Sequence, residues 1–371
     1  AEIAAGRAAA GALPPRAAFS WAISALRGGM ALLVIFAHLG PGFLQRLGEG
    51  GAALAQALGP VFRLGTPGFA MAFGLGLGFS LLPRARENMP AVTRRLGAML
   101  ALVVAGWLLI GAAETARAAV EGQAVDAGLV ARKLYNVLAY YVLALATAPL
   151  WFMAIIRARL SEAGVLAVAA AIAATGVAVG ALISPTPLLG PLELPRLMLT
   201  AGYNYFYMTS VAFVGIAAGM ALSRADGAAA AARLCLGVGL GVVAAGALLL
   251  LEELIGRRGS GLWQPRSLAG ATLHIGMTLC LLGLAIRLYA SPAATRPPFG
   301  VAAGAMATLG GLALPLFALH EIVLLAKGIL DALLVREWAA ITTAMALFLV
   351  PSGWMFVRLS RHYRRGGIEE A

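Results

Sequence analysis

Several uncharged stretches in this chain run for about 18 to 22 residues, and that length constrains the fold more than any motif does. At 1.5 Å per helical residue such a stretch crosses a hydrocarbon core of about 30 Å. Inside that core every backbone N–H and C=O must be satisfied within the protein, which leaves only helices and closed barrels. Transmembrane barrels alternate apolar and polar residues in segments of about ten, a pattern missing here. The expected fold is therefore all-α, a polytopic transmembrane helix bundle. Only 12% of the 371 residues are charged and 61% are apolar, which excludes disorder and argues against a soluble enzyme.

Apolar windows bounded by charge, Pro or Gly predict about ten spans: 19–40, 66–82, 96–113, 134–156, 163–184, 204–222, 234–251, 268–289, 307–326 and 338–358. Residues 45–65 carry Arg46, Glu49 and Arg63 among alanines and read as an interfacial helix or a re-entrant piece. An even number of spans puts both termini on one side. The loops on that side hold 16 basic residues against 6 acidic, whereas those on the other hold 11 against 10. The positive-inside rule makes the first side, and both termini, cytoplasmic. The expected organisation is one membrane domain over 1–371: a cytoplasmic tail at 1–17, a bundle over 19–358 and a basic tail at 359–371. Arg7 and Arg16 interrupt the first 17 residues, which do not read as a cleavable signal peptide. The net charge of +12 follows from this topology, so the bilayer is the expected partner and nucleic acid is not. Cys235 and Cys280 lie in apolar stretches, without metal-ligand or disulfide spacing.

An ionisable residue within a span is costly and marks a candidate site. Arg27 lies in the first span and His38 comes eleven residues later, near its opposite end. Eleven steps of about 100° fall within some 20° of whole turns, so both side chains share one helix face, about 16 Å apart. An intramembrane guanidinium suits phosphate or a carbonyl-rich chain, and a histidine suits general-base attack on a hydroxyl. The competing reading is that Arg27 snorkels and His38 is merely interfacial. Arg84, Arg86, Arg94 and Arg95 cluster after the second span, either as a phosphate-binding patch or as positive-inside anchors. His320 and Glu321, in the ninth span, read as a substrate-holding pair or as packing residues. His274 has no charged neighbour on its helix and reads as structural; His362 reads as solvated. Four histidines without paired ligand spacing predict no metal site.

Two glycine motifs, GLGLG at Gly74, Gly76 and Gly78 and GVGLG at Gly237, Gly239 and Gly241, lie within apolar spans with no preceding strand. They predict close helix packing rather than phosphate binding. The aromatic clusters Tyr203-Asn204-Tyr205-Phe206-Tyr207 and Trp263-Gln264-Pro265-Arg266 read first as interfacial belts and second as sugar-stacking surfaces.

LRGGMALLVIFAH, residues 26–38, resembles the first-helix signature of the acyltransferase-3 superfamily of integral membrane acyltransferases, with the same Arg-to-His spacing. Pro67-Gly68-Phe69 through Gly76 is similar to that family's second-helix region, and NVLAYYVLALATAP at 136–149 to its central helix. LGGLALPLFALHEIVLL around His320 is similar to its late histidine segment. Ser24 stands where the family has an acidic residue, and LGF at 77–79 where it has SGF.

The resemblance implies a bacterial inner-membrane enzyme that moves an acetyl or succinyl group from cytoplasmic acyl-CoA to a hydroxyl of a glycan or other envelope acceptor. It implies His38 as general base, or second as the carrier of a transient acyl-histidine, Arg27 positioning the donor, and Arg84, Arg86, Arg94 and Arg95 meeting the CoA phosphates. His320 and Glu321 would bind substrate, and no cofactor would be permanently bound. The alternatives from the residues alone are a secondary transporter or flippase using Arg27 and His38 as substrate and proton sites, and a non-catalytic scaffold of an export complex.

Overall fold

A computed structural model describes residues 13–45, 47–120, 122–183, 190–202, 204–255, 268–296 and 299–313, together with 316 and 353. Every regular element among them is helical: α1 Pro15–Gln45, α2 Glu49–Arg63, α3 Gly65–Gly76, α4 Leu82–Val120, α5 Ala127–Leu134, α6 Val137–Arg157, α7 Glu162–Leu182, α8 Glu193–Thr200, α9 Tyr205–Ser223, α10 Ala228–Ile255, α11 Leu268–Tyr289 and α12 Phe299–Gly311. A π turn, Leu77–Leu81, joins α3 to α4, and single 3-10 turns precede α8 and α12.

The helix starts arise from short polar side chains that accept the otherwise unbonded N–H groups of a first turn. Asp126 Oδ1 accepts from Leu129 N–H at 2.6 Å and opens α5. Asn136 accepts from Leu138 (2.9 Å) at α6, Ser161 from Gly164 (3.3 Å) at α7, and Asn204 from Tyr207 (2.9 Å) at α9. These caps lie within three residues of the expected starts of the fourth, fifth and sixth spans, and α11 coincides with the expected 268–289.

Seven helical runs among the described residues are long and apolar enough to cross a bilayer, and the protein is a multi-pass helical membrane protein. These runs hold the first eight expected spans, because the second and third share one run of 59 residues, Val61–Ala119. As a straight rod that run would be about 88 Å long, roughly three hydrocarbon cores. It is divided at Asn88, whose φ of −147° and ψ of 76° are not helical. The Asn88 side chain caps the helical segment on the far side of the break, accepting from Ala91 N–H at 3.1 Å. Pro90 sits in the new first turn, where its missing N–H costs nothing. The stretch expected as a basic loop is thus helix on both sides of a capped break. Residues 45–65 form the separate helix α2, most of it exposed. The ninth span is described only at its start, and the tenth lies outside the described residues except for Gly353.

Large apolar side chains face outward along the long helices, among them Leu102, Leu109, Leu182 and Leu248. Exposed apolar side chains of this size suit a lipid solvent.

The chain forms two compact units, whose boundaries fall between Ser80 and Leu81, within α9 between Phe213 and Val214, and between Leu314 and Pro315. In the first, α1 is the central element. Phe19, Ile23, Leu26 and Met30 of α1 join Leu282, Ile286 and Tyr289 of α11 in one buried core. Small residues set the close approaches: a Cβ on Gly65 would lie 2.8 Å from the Val34 backbone nitrogen, and one on Gly28 would lie 2.8 Å from that of Gly310. Gly215 and Gly219, four apart on α9, seat the backbone of Met71, Leu75 and Phe79. The helices α10 and α11 pack through Gly239 and Gly246 on one side and Gly276 and Gly283 on the other.

In the second unit α4 packs on α6, and Trp107 Nε1–H donates to the Leu134 carbonyl at 2.7 Å. Charged groups gather here at the end of α4 and on the short helices α5 and α8. Glu114 pairs with Arg117 (3.3 Å) and Lys133 (3.6 Å). Glu193, only 1% exposed, takes both Arg196 Nη2 (2.7 Å) and Nε (2.8 Å) in a two-pronged pair.

Candidate functional site

Arg27 and His38 lie on the single continuous helix α1, so the eleven-residue spacing keeps its geometry: one face, about 16 Å of rise. Arg27 is half-buried and His38 is exposed. The Arg27 guanidinium rests on α3: Nη2 lies 2.8 Å from where a Cβ of Gly76 would be, and no other element among the described residues comes within 4 Å of that position. Gly76 is therefore the seat of the arginine head. The π turn begins at the next residue. A π turn takes one more residue into each hydrogen-bonded ring and rotates the helix beyond it, a distortion frequent at functional sites.

The glycine motifs divide accordingly. Gly78 abuts the Ile216 carbonyl, Gly74 abuts Gly215, and Gly239 abuts Cys280, whose Sγ would lie 2.7 Å from an added Cβ. These are packing contacts, as expected. Gly76 is different in that its neighbour is a cation, which the motif alone did not disclose. Among the described residues, no other element comes within 4 Å of a Cβ on Gly237 or Gly241.

Arg84 and Arg86 precede the break at Asn88, and Arg94 and Arg95 come after it; all four are exposed. They belong to the second unit, whereas Arg27, His38 and Gly76 belong to the first. His320, Glu321, Tyr203 and the Trp263–Arg266 cluster lie outside the described residues. Tyr205 also makes contacts within the second unit. Its hydroxyl shares a 2.9 Å hydrogen bond with Thr147, and its ring lies 6.2 Å from that of Tyr140, whose own hydroxyl donates to the Met208 carbonyl at 3.1 Å.

His274, read from sequence as structural, is fully buried on α11, and neither ring nitrogen has a hydrogen-bond partner among the described residues. Only its tertiary surroundings distinguish it from a packing histidine. Among the described residues no group of three or more His, Cys, Asp or Glu gathers as a metal site would require. No protein-family model, curated protein or solved structure matches this chain.

Proposed function

We propose that the chain is an acyltransferase of the inner membrane, moving an acetyl or succinyl group from cytoplasmic acyl-CoA to a hydroxyl of a glycan or other envelope acceptor. The observation that carries this reading is the Arg27 and His38 pair on one face of α1, with the guanidinium seated on Gly76 beside a π turn. An arginine held at a helix distortion within a span is a costly arrangement, and functional sites are where such costs are retained. The resemblance of residues 26–38 to the acyltransferase-3 signature supplies the reaction class.

In this reading ten helices span the membrane and both termini are cytoplasmic. Arg84, Arg86, Arg94 and Arg95 take the CoA phosphates, since clustered guanidinium groups match phosphate oxygens in pairs. Arg27 holds the acyl-bearing arm. His38 removes the proton of the acceptor hydroxyl as its oxygen attacks the thioester carbonyl. The C–S bond then breaks, and the CoA thiolate leaves with the proton that His38 took. His320 and Glu321 hold substrate, and no resident cofactor is needed.

The test is release of free CoA thiol from acetyl-CoA and succinyl-CoA by purified protein in proteoliposomes. His38→Ala and Arg27→Ala are each expected to lower it by about 10² or more, within the range of a general base and a fixed positive charge. Equal release by His38→Ala and wild type would sink the proposal. Counterflow of a labelled solute without acyl-CoA consumption would instead support a transporter using the same two residues.

A further inference from the structure

The helix α2 connects α1 to α3, two helices of the membrane-crossing runs, and its side chains fall into three lines. Its 15 residues rise about 22 Å, too little to cross a hydrocarbon core of about 30 Å. Glu49, Gln56 and Arg63 are spaced seven apart, drift only about 20° per step, and are all exposed. Leu54 and Val61, also seven apart, are 48% and 40% exposed, with Leu58 half-buried between them. Two residues, about 200°, separate Leu54 from Gln56 and Val61 from Arg63, so the apolar and polar lines lie on opposite sides of the helix. The third line, Gly51, Ala55 and Phe62, runs between them and packs on α1. A Cβ on Gly51 would meet the Leu44 carbonyl oxygen, and one on Gly40 would lie 3.9 Å from Phe62 Cζ.

Those two contacts fix how α2 meets α1. From Gly51 to Phe62 the helix advances eleven residues, about 16 Å, yet their partners Leu44 and Gly40 are only four residues, about 6 Å, apart on α1. A re-entrant helix running along α1 would make the two rises equal. α2 therefore lies across the end of α1, descending by about a third of its own length. The apolar exterior of α1 continues onto it: Phe36, 54% exposed, lies 3.8 Å from the same point beside Gly40 that Phe62 reaches.

A short helix with an exposed apolar line opposite an exposed polar one fits a bilayer surface, where one side meets acyl chains and the other meets water. We propose that α2 binds in the plane of the lipid surface, with Leu54, Leu58 and Val61 sunk among the acyl chains and Glu49, Gln56 and Arg63 in water. Glu49 and Arg63 balance in charge, so zwitterionic lipid is sufficient. The consequence is a depth for the candidate site. His38 is two residues, about 3 Å of rise, from Gly40 and stands at the headgroup level, whereas Arg27 is thirteen residues, about 20 Å, from Gly40 and lies inside the core. The surface helix does not depend on the acyl-transfer reading.

The test places an environment-sensitive fluorescent amino acid, by codon suppression, at Leu54, Gln56, Val61 or Arg63 of the full chain in phosphatidylcholine vesicles. All four positions are exposed, so the packing of α2 on α1 is kept. Nitroxides carried at shallow or deep points of the acyl chains are expected to quench the label at Leu54 and Val61 several-fold more than at Gln56 and Arg63. Iodide, present on both sides of the vesicle, should show the opposite order. The depths at Leu54 and Val61 should differ by about 4 Å, against about 10 Å for a helix running along α1. Adding phosphatidylglycerol should change neither result. A difference of about 10 Å makes α2 re-entrant and overturns the in-plane placement. Iodide quenching as strong at Leu54 and Val61 as at Gln56 and Arg63 puts the apolar line in water, and quenching by neither reagent puts it against a second copy of the chain. Either result overturns the lipid contact, as does nitroxide quenching that needs phosphatidylglycerol. Depths as expected, with no CoA release by wild type, remove the acyl-transfer reading and leave the surface helix standing.

Discussion

Replacing Gly76 by alanine places one methyl group where the Arg27 guanidinium now rests. The new Cβ would stand 2.8 Å from Nη2, and ordinary contact is 3.4–4 Å, so the head group must retreat by about 0.6 to 1.2 Å. No other element among the described residues lies within 4 Å of that methyl, and the group displaced is the end of a flexible side chain, so the backbone need not move. Alanine also favours a helix interior over glycine by about 1 kcal/mol. Thermal stability should therefore hold or rise slightly. A misplacement of about 1 Å in a positioned group costs on the order of 10² in rate, about 2.7 kcal/mol of transition-state stabilisation. The expected result is a CoA-release rate near that of Arg27→Ala at an unchanged melting temperature. Gly219→Ala is the control: its Cβ would meet the Leu75 carbonyl oxygen at 2.6 Å and the Phe79 nitrogen at 2.7 Å, both backbone. That variant should lose stability by about 1–3 kcal/mol through overpacking. Full activity in Gly76→Ala, or a melting temperature that falls as far as in Gly219→Ala, would refute the assignment of Gly76 as the arginine's seat.

The three glycines of GVGLG should respond differently to alanine: Gly239→Ala presses on Cys280 and costs about 1–3 kcal/mol in thermal unfolding, while Gly237→Ala and Gly241→Ala are neutral or slightly stabilising. Arg196→Ala strips the buried Glu193 carboxylate of its two-pronged partner, and the variant should melt below the double variant that also carries Glu193→Gln, because a buried charge that loses its guanidinium costs more than a neutral amide in its place.

Much of this fold was legible because it is set locally. Asn136, Ser161 and Asn204 announce their helices by chemistry that needs no neighbour, and α11 can be read end to end from its apolar run. The Arg27 and His38 relation was legible for the same reason: both residues ride one helix, so the period alone fixes their angle. Features that depend on a second element were not. A hydropathy window has no phase, so it missed the π turn at Leu77–Leu81 and the helical continuation through Arg84–Arg95. Asn88 and Pro90 did carry the signal of a capped restart, outweighed by the charges around them. Gly76 and Gly78 look alike in sequence, yet one receives a cation and the other a carbonyl, a difference made by α1 and α9. His274 reads as structural and is buried on α11; that neither ring nitrogen has a partner among the described residues is not legible from its helix alone.

The seam between α10 and α11 has a consequence beyond close approach. In lipid an apolar side chain gains little by exchanging hydrocarbon for a neighbouring helix. Gly239 and Gly246 on one helix, and Gly276 and Gly283 on the other, are each seven residues apart and have no rotamers to freeze when the helices meet. Association along this seam therefore forfeits less conformational freedom than one lined with leucine. It selects its partner by shape, since Gly246 receives Leu273 and Gly283 receives Leu236 while Gly239 and Gly276 meet backbone to backbone.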